Sequence, residues 1–160
     1  MAKILLIESS TTQCSVALAE GGTPVAWKEE RAVQGYVHAE RLMPFIDAVL
    51  REQGWSRTDL DAVAVSGGPG SFTGLRIGVS TAKGLCQALQ VPLIALDTLA
   101  LLAEQGKRLD PTPQQRVAMI DARRMEVYAG TFEADGTCTQ AATPVEVDKT
   151  PEAFKGPAQF

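Results

Sequence analysis

Three short apolar runs open the chain, and the segments joining them are too short for anything but tight turns. Lys3–Glu8 (KILLIE), Ser15–Ala19 (SVALA) and Pro24–Glu29 read as strands, joined by Ser9–Gln13 (SSTTQ) and by Glu20-Gly21-Gly22-Thr23. Paired glycines supply the positive φ that a tight hairpin needs. A parallel pair would require a crossover of about a dozen residues, so these strands form an antiparallel meander.

Helices and strands then alternate. In HAERLMPFIDAVLREQGW, Leu42, Phe45, Ile46, Val49 and Leu50 recur at helical spacing, and Gly54 is a natural stop. Pro44 falls inside the pattern, so the helix is either kinked there or begins near Arg41. Asp61–Ser66 (DAVAVS) reads as a buried strand, Thr73–Gln90 as a helix, Val91–Leu96 as a strand and Thr98–Gln105 as a third helix. The order β-β-β-α-β-α-β-α predicts an α/β fold of ribonuclease-H-like type, the half-unit of the actin-like ATPase architecture. Its later strands return by crossovers and so run parallel to the first.

Gln105–Gln115 (QGKRLDPTPQQ) is polar and holds two prolines, which marks a boundary. Beyond it the opening pattern recurs: LIESSTTQCSVALAEGGT from Leu6 is echoed by MIDARRMEVYAGTFEADGT from Met119, with Glu8 and Asp121 in equivalent places. The expectation is a first lobe over 1–104, a linker over 105–115 and the start of a second, incomplete lobe of the same type over 116–160.

Charge and cysteine usage narrow the function classes. Fifteen basic against nineteen acidic residues leave a net charge of −4, which argues against gripping nucleic acid unaided. The adjacent Arg123 and Arg124 read as a solvated pair. Cys14, Cys86 and Cys138 show no CxxC spacing, so neither a disulfide framework nor a zinc knuckle is indicated. The apolar run Ile4–Ile7 is broken by Glu8, and no stretch approaches the roughly 18 apolar residues of a membrane span. A reduced, cytoplasmic protein without membrane contact is expected.

The stretch SGGPGSFTGLR (Ser66–Arg76) joins a strand to a long helix. It is not a P-loop, because no lysine follows its glycines until Lys83. Gly68, Gly70 and Gly74, with Asp97 after the next strand, imitate a dinucleotide loop, but the spacing is one residue too long and Pro69 stiffens it. Gly67, Gly68, Pro69, Gly70, Ser71, Thr73 and Gly74 read instead as a helix-launching turn whose glycines permit close strand–helix packing, with Ser71 or Thr73 as cap. In the helix itself Gly74, Gly78 and Ala82 form a small-residue ridge, while Val79 and Cys86 carry apolar surface around the cylinder. A helix apolar on more than one face needs cover on more than one side, and the ridge predicts an approaching partner helix.

Four motifs in order, ILLIESSTTQCSVAL, HAERLMPFI, GGPGSFTGLRIGVSTAKGL and DARRMEVYAG, resemble the TsaB (YeaZ) family over Ile4 to Gly130. The resemblance implies an actin-like ATPase fold of two lobes and a role in making the threonylcarbamoyl modification of the tRNA adenosine beside the anticodon. It further implies that a related TsaD-type subunit carries the metal and transfers the group, with a TsaE-type ATPase joining the complex. The resemblance also implies that this chain is the TsaD-type subunit's dimerisation partner, self-associates through the same helices, and meets tRNA only through the complex.

Where TsaD carries metal-binding histidines, this sequence reads Asp97-Thr98-Leu99-Ala100-Leu101. Its one histidine, His38, cannot build a metal site alone, so no metal ligation is expected. A glycoprotease-type peptidase is disfavoured on the same ground, since Ser9, Ser10, Ser66 and Ser71 sit where serine is ordinary in turns. The rival reading is an actin-like ATPase: Glu8 would position hydrated Mg²⁺, Ser10 and Thr11 would meet a phosphate, and Asp121 would be the second acid. Ala122-Arg123-Arg124-Met125 lacks the glycines that bring amides to phosphate, which leaves at most a vestigial nucleotide site. The expectation is that this chain requires no cofactor, while the full complex could take ATP or ADP with Mg²⁺.

The expectation is therefore a non-catalytic scaffold that activates a TsaD-type subunit through two helices. Leu42, Phe45, Ile46, Leu75, Gly78, Val79, Ala82 and Cys86 would form the apolar centre of the contact, and His38, Arg41 and Arg76 its polar rim.

Overall fold

The computed structural model describes residues 1–31 and 37–146. The last part of the expected second lobe, 147–160, lies outside the described residues. Contacts divide the chain into two compact units, Met1–Leu96 and Asp97–Phe160.

In the first unit β1 (Lys3–Glu8), β2 (Gln13–Glu20) and β3 (Thr23–Arg31) precede α1 (His38–Gln53); β4 (Ala62–Gly68), α2 (Phe72–Leu89) and β5 (Leu93–Asp97) follow. The sheet order is β3-β2-β1-β4-β5. β1–β2 and β2–β3 pair antiparallel, and β4 returns parallel to β1. The meander and the crossover were both legible in the connection lengths. Alternation decides which side chains enter the core: Leu5 and Ile7 of β1 and Cys14, Val16 and Leu18 of β2 are buried. Leu42, Ile46, Val49 and Leu50 of α1 and Ala82 and Cys86 of α2 close over them.

α1 begins at His38, ahead of the expected Arg41, and continues past Pro44 to Gln53. The backbone bond that proline cannot make would end on the Glu40 carbonyl, and both residues lie exposed, where water can serve that oxygen. Gly54 ends the helix at φ +66°. α2 starts one residue before the expected Thr73, because the Ser71 hydroxyl accepts from the Gly74 N–H at 3.3 Å.

The second unit holds α3 (Thr98–Leu109) and the antiparallel sheet β6 (Gln115–Arg123), β7 (Glu126–Glu133) and β8 (Cys138–Glu146), the expected second meander. Leu99 and Ala103 of α3 pack on Ala118 and Phe132. α3 continues past Gln105, so the opening of the segment expected as linker is helical. Asp97 caps it, its carboxylate accepting the Ala100 N–H at 2.8 Å, and Lys107 and Arg108 favour its C-terminal dipole. The division between units therefore falls ahead of α3, earlier than the expected end of the first lobe at 104.

The three cysteines are free. Burial, with the nearby Glu30 charge second, pushes the Cys14 thiol from an ordinary 9.0 up to about 11. Cys138 is exposed and is expected to react first with a thiol reagent, with Cys14 reacting only on unfolding. Since Cys14 holds its proton more tightly when folded, its share of stability is whole below pH 9 and is lost as pH rises towards about 11. Urea unfolding at pH 8 and pH 10.5, in wild type and Cys14→Ala, checks the sign: only wild type should show this added loss.

Candidate functional site

The glycine turn closes on the loop between β1 and β2. The Ser71 N–H donates to the Ser10 carbonyl at 2.6 Å. A Cβ on Gly70 would lie 2.4 Å from that same oxygen, one on Gly74 would lie 2.1 Å from the Ser9 carbonyl oxygen, and one on Gly78 would lie 2.0 Å from the Ser9 hydroxyl. Only hydrogen fits at these positions. Gly68 adds a conformational demand, with φ at +113°. The small ridge of α2 is thus the seat of the Ser9-Ser10 backbone.

That placement corrects the expected interface. Gly78, Ala82 and Cys86 face the first unit's own sheet, and Leu42 and Ile46 lie in its core, so none of the five can form the centre of a contact with another chain. His38 is not on a rim either. It is fully buried, and its Nε2 meets the Gln13 carbonyl at 3.2 Å, which ties the start of α1 to β2. The physical reason is common to all six: spacing identifies a face that must be covered, and the strands of the same chain cover it.

What remains outward is a stripe on α2. Arg76 is exposed, Leu75 and Val79 are half-buried, and on α1 Arg41 is exposed beside a half-buried Phe45. Arg41 pairs with Glu30 at 3.0 Å. Phe72, which sequence reading passed over as part of the turn, is 74% exposed at the first position of α2. The Arg76 guanidinium lies 5.3 Å from its ring centroid, a cation–π distance one helical turn along. Phe72, Leu75, Arg76 and Val79 follow helical spacing, and that signal was present in the sequence.

The acid at the end of β1 is turned inward. One Glu8 oxygen accepts the Ser10 N–H at 2.6 Å and the Ser10 hydroxyl at 2.5 Å, while the other accepts the Ser66 hydroxyl. Ser9 and Ser10 are buried, so the Ser10 hydroxyl does not face a phosphate as the nucleotide reading required. Thr11 is exposed, and its oxygen accepts the Gln13 N–H at 3.2 Å. Asp121 is exposed near the end of β6 and accepts the Arg123 N–H at 2.7 Å. Arg123, Arg124 and Met125 all have positive φ, a turn unlike the glycine-rich loops that present amides to phosphate. Among the described residues no three His, Cys, Asp or Glu side chains converge as metal ligands.

Glu8→Ala should leave three donors without their acceptor and lower unfolding stability by about 2–3 kcal/mol in urea titration. Ser66→Ala removes one donor with its bond and should lower it by about 1 kcal/mol.

The family model for TsaD, tRNA N6-adenosine threonylcarbamoyltransferase, matches residues 33–159. The tRNA threonylcarbamoyladenosine biosynthesis protein TsaB of Escherichia coli K12 is 38% identical over 133 residues, covering 83% of this chain and 56% of that protein. The chain thus spans little more than half the length of that relative. The solved structure of YeaZ from Pseudomonas aeruginosa superposes with a TM-score of 0.82 at 33% identity, over 98% of this chain and 73% of that one. The ethanolamine utilization protein EutJ of Carboxydothermus hydrogenoformans, at 15% identity and a TM-score of 0.55 over 91% of this chain and 52% of that one, shares the fold alone. The actin-like α/β architecture expected from element order is the one found.

Proposed function

The chain belongs to the TsaB (YeaZ) family, within reach of the TsaD family model, and from that premise we propose that it serves tRNA threonylcarbamoyladenosine synthesis as a non-catalytic partner of a TsaD-type subunit. The observation that carries this reading is the two-sidedness of α2: its glycine ridge is sealed onto β1, and its Phe72–Leu75–Arg76–Val79 stripe is left outward. An exposed aromatic beside an arginine is the composition of an interface anchor. The contact therefore uses the outer stripe with Arg41 and Phe45 of α1, in place of the buried ridge. By covering it, the TsaD-type subunit would be held in its active arrangement, with a TsaE-type ATPase and tRNA joining the assembly, in the cytoplasm where tRNA is modified. The same stripe is what a homodimer would use.

A catalytic role for this chain is disfavoured by Glu8, whose oxygens hold Ser10 and Ser66. With both oxygens so occupied, these residues do not fit a magnesium-bound phosphate. Size-exclusion chromatography of the protein with and without a TsaD-type subunit, paired with an ATP hydrolysis assay on the protein alone, tests both halves. A heterodimer and no magnesium-dependent hydrolysis are expected. Hydrolysis that disappears in Glu8→Gln while the fold persists would favour the ATPase reading.

A further inference from the structure

We infer that the outer stripe of α2 is a charge filter: Arg76 and Lys83 admit a partner helix carrying acidic side chains two turns apart and repel a second copy of this chain. The inference rests on the stripe being the contact surface for a TsaD-type subunit, and adds the chemistry that subunit must present. At 3.6 residues per turn, Phe72, Arg76, Val79 and Lys83 fall within about 60° of the helix circumference, with the two cations about 10 Å apart along its axis. Arg76 and Lys83 are exposed, and Phe72 and Val79 supply apolar surface beside them.

Charge on this helix has one sign. α2 contains no Asp or Glu, although acids outnumber bases in the chain by nineteen to fifteen. Neither Arg76 nor Lys83 enters a salt bridge among the described residues. The Arg76 guanidinium lies over the Phe72 ring, which leaves its N–H donors for an incoming carboxylate. The neighbouring helix offers little to neutralise them in a second copy. On α1, Asp47 is held by Arg57 and Glu52 by Lys28, so Glu40 is its one carboxylate outside a salt bridge among the described residues. Stripe against stripe therefore brings cations to cations. Like charges at a contact cost affinity, whereas an acidic face is drawn in and held in register.

Two measurements test this, one of them without the TsaD-type subunit. In sedimentation at low salt, wild type mixed with the double variant Arg76→Glu, Lys83→Glu should form a mixed dimer at least about tenfold tighter than either protein forms alone. Added salt should shrink that advantage. In calorimetric titration of the TsaD-type subunit, the double variant Arg76→Gln, Lys83→Gln should bind at least about tenfold more weakly, while its self-association tightens by about threefold or more. Thermal unfolding checks that variants at these exposed positions stay folded. A mixed dimer no tighter than its parents would overturn the filter, as would heterodimer and self-association of the glutamine variant moving in the same direction. A TsaD-type subunit that does not bind wild type would instead sink the underlying reading, and the mixing experiment would decide the charge preference by itself.

Discussion

Gly74→Ala and Gly78→Ala are each expected to destabilise the protein by about 3 kcal/mol or more, while Gly84→Ala on the same helix should stabilise it by up to about 1 kcal/mol. A single methyl separates the outcomes. At Gly74 it would press on the Ser9 carbonyl and at Gly78 on the Ser9 hydroxyl, both buried; at Gly84 it meets nothing within 4 Å. Gly84 has an ordinary helical φ, so alanine there only reduces the entropy of the unfolded chain. Urea titrations of the three variants give the answer directly. If the ridge instead faced a partner, Gly78→Ala would leave the isolated protein as stable as wild type.

The second large effect concerns association. Phe72→Ala, and separately Arg76→Glu, should weaken the complex with a TsaD-type subunit by roughly 30-fold or more, the loss of an interface anchor. Neither should lower folding stability, since Phe72 is 74% exposed and Arg76 reaches only its ring. Titration calorimetry beside thermal unfolding separates the two quantities. Charge reversal at Arg76 should also reduce the salt dependence of the association.

How much of this was legible in the sequence differs from element to element. Connection lengths fixed the meander, and the alternation of helix and strand gave the crossover units, so the topology followed from chain geometry. The cap was narrowed to Ser71 or Thr73 because a hydroxyl at a helix start has a specific donor to meet, and the structure selects Ser71. The destination of the α2 ridge was not. Four-residue spacing of Gly74, Gly78 and Ala82 announces a close backbone approach but does not say whose backbone arrives. Here it is Ser9 of the same chain, next to the Glu8 whose carboxylate accepts the Ser66 hydroxyl fifty-eight residues along. His38 misled for a related reason. A polar side chain at a helix start suggests a rim, and its burial against the Gln13 carbonyl depends on a strand packing that local sequence does not encode. Phe72 was missed because its neighbours spelled a turn.

The most direct test of the central claim is the rate of tRNA threonylcarbamoylation by a TsaD-type subunit with its TsaE-type ATPase and threonylcarbamoyl-AMP, measured as this protein is titrated in. The expected rate rises to a plateau at one equivalent of wild-type protein, needs far more of Phe72→Ala to reach it, and reaches it undiminished with folded Glu8→Gln. A plateau lost in Glu8→Gln while the complex still forms, or a rate indifferent to the protein altogether, would contradict it.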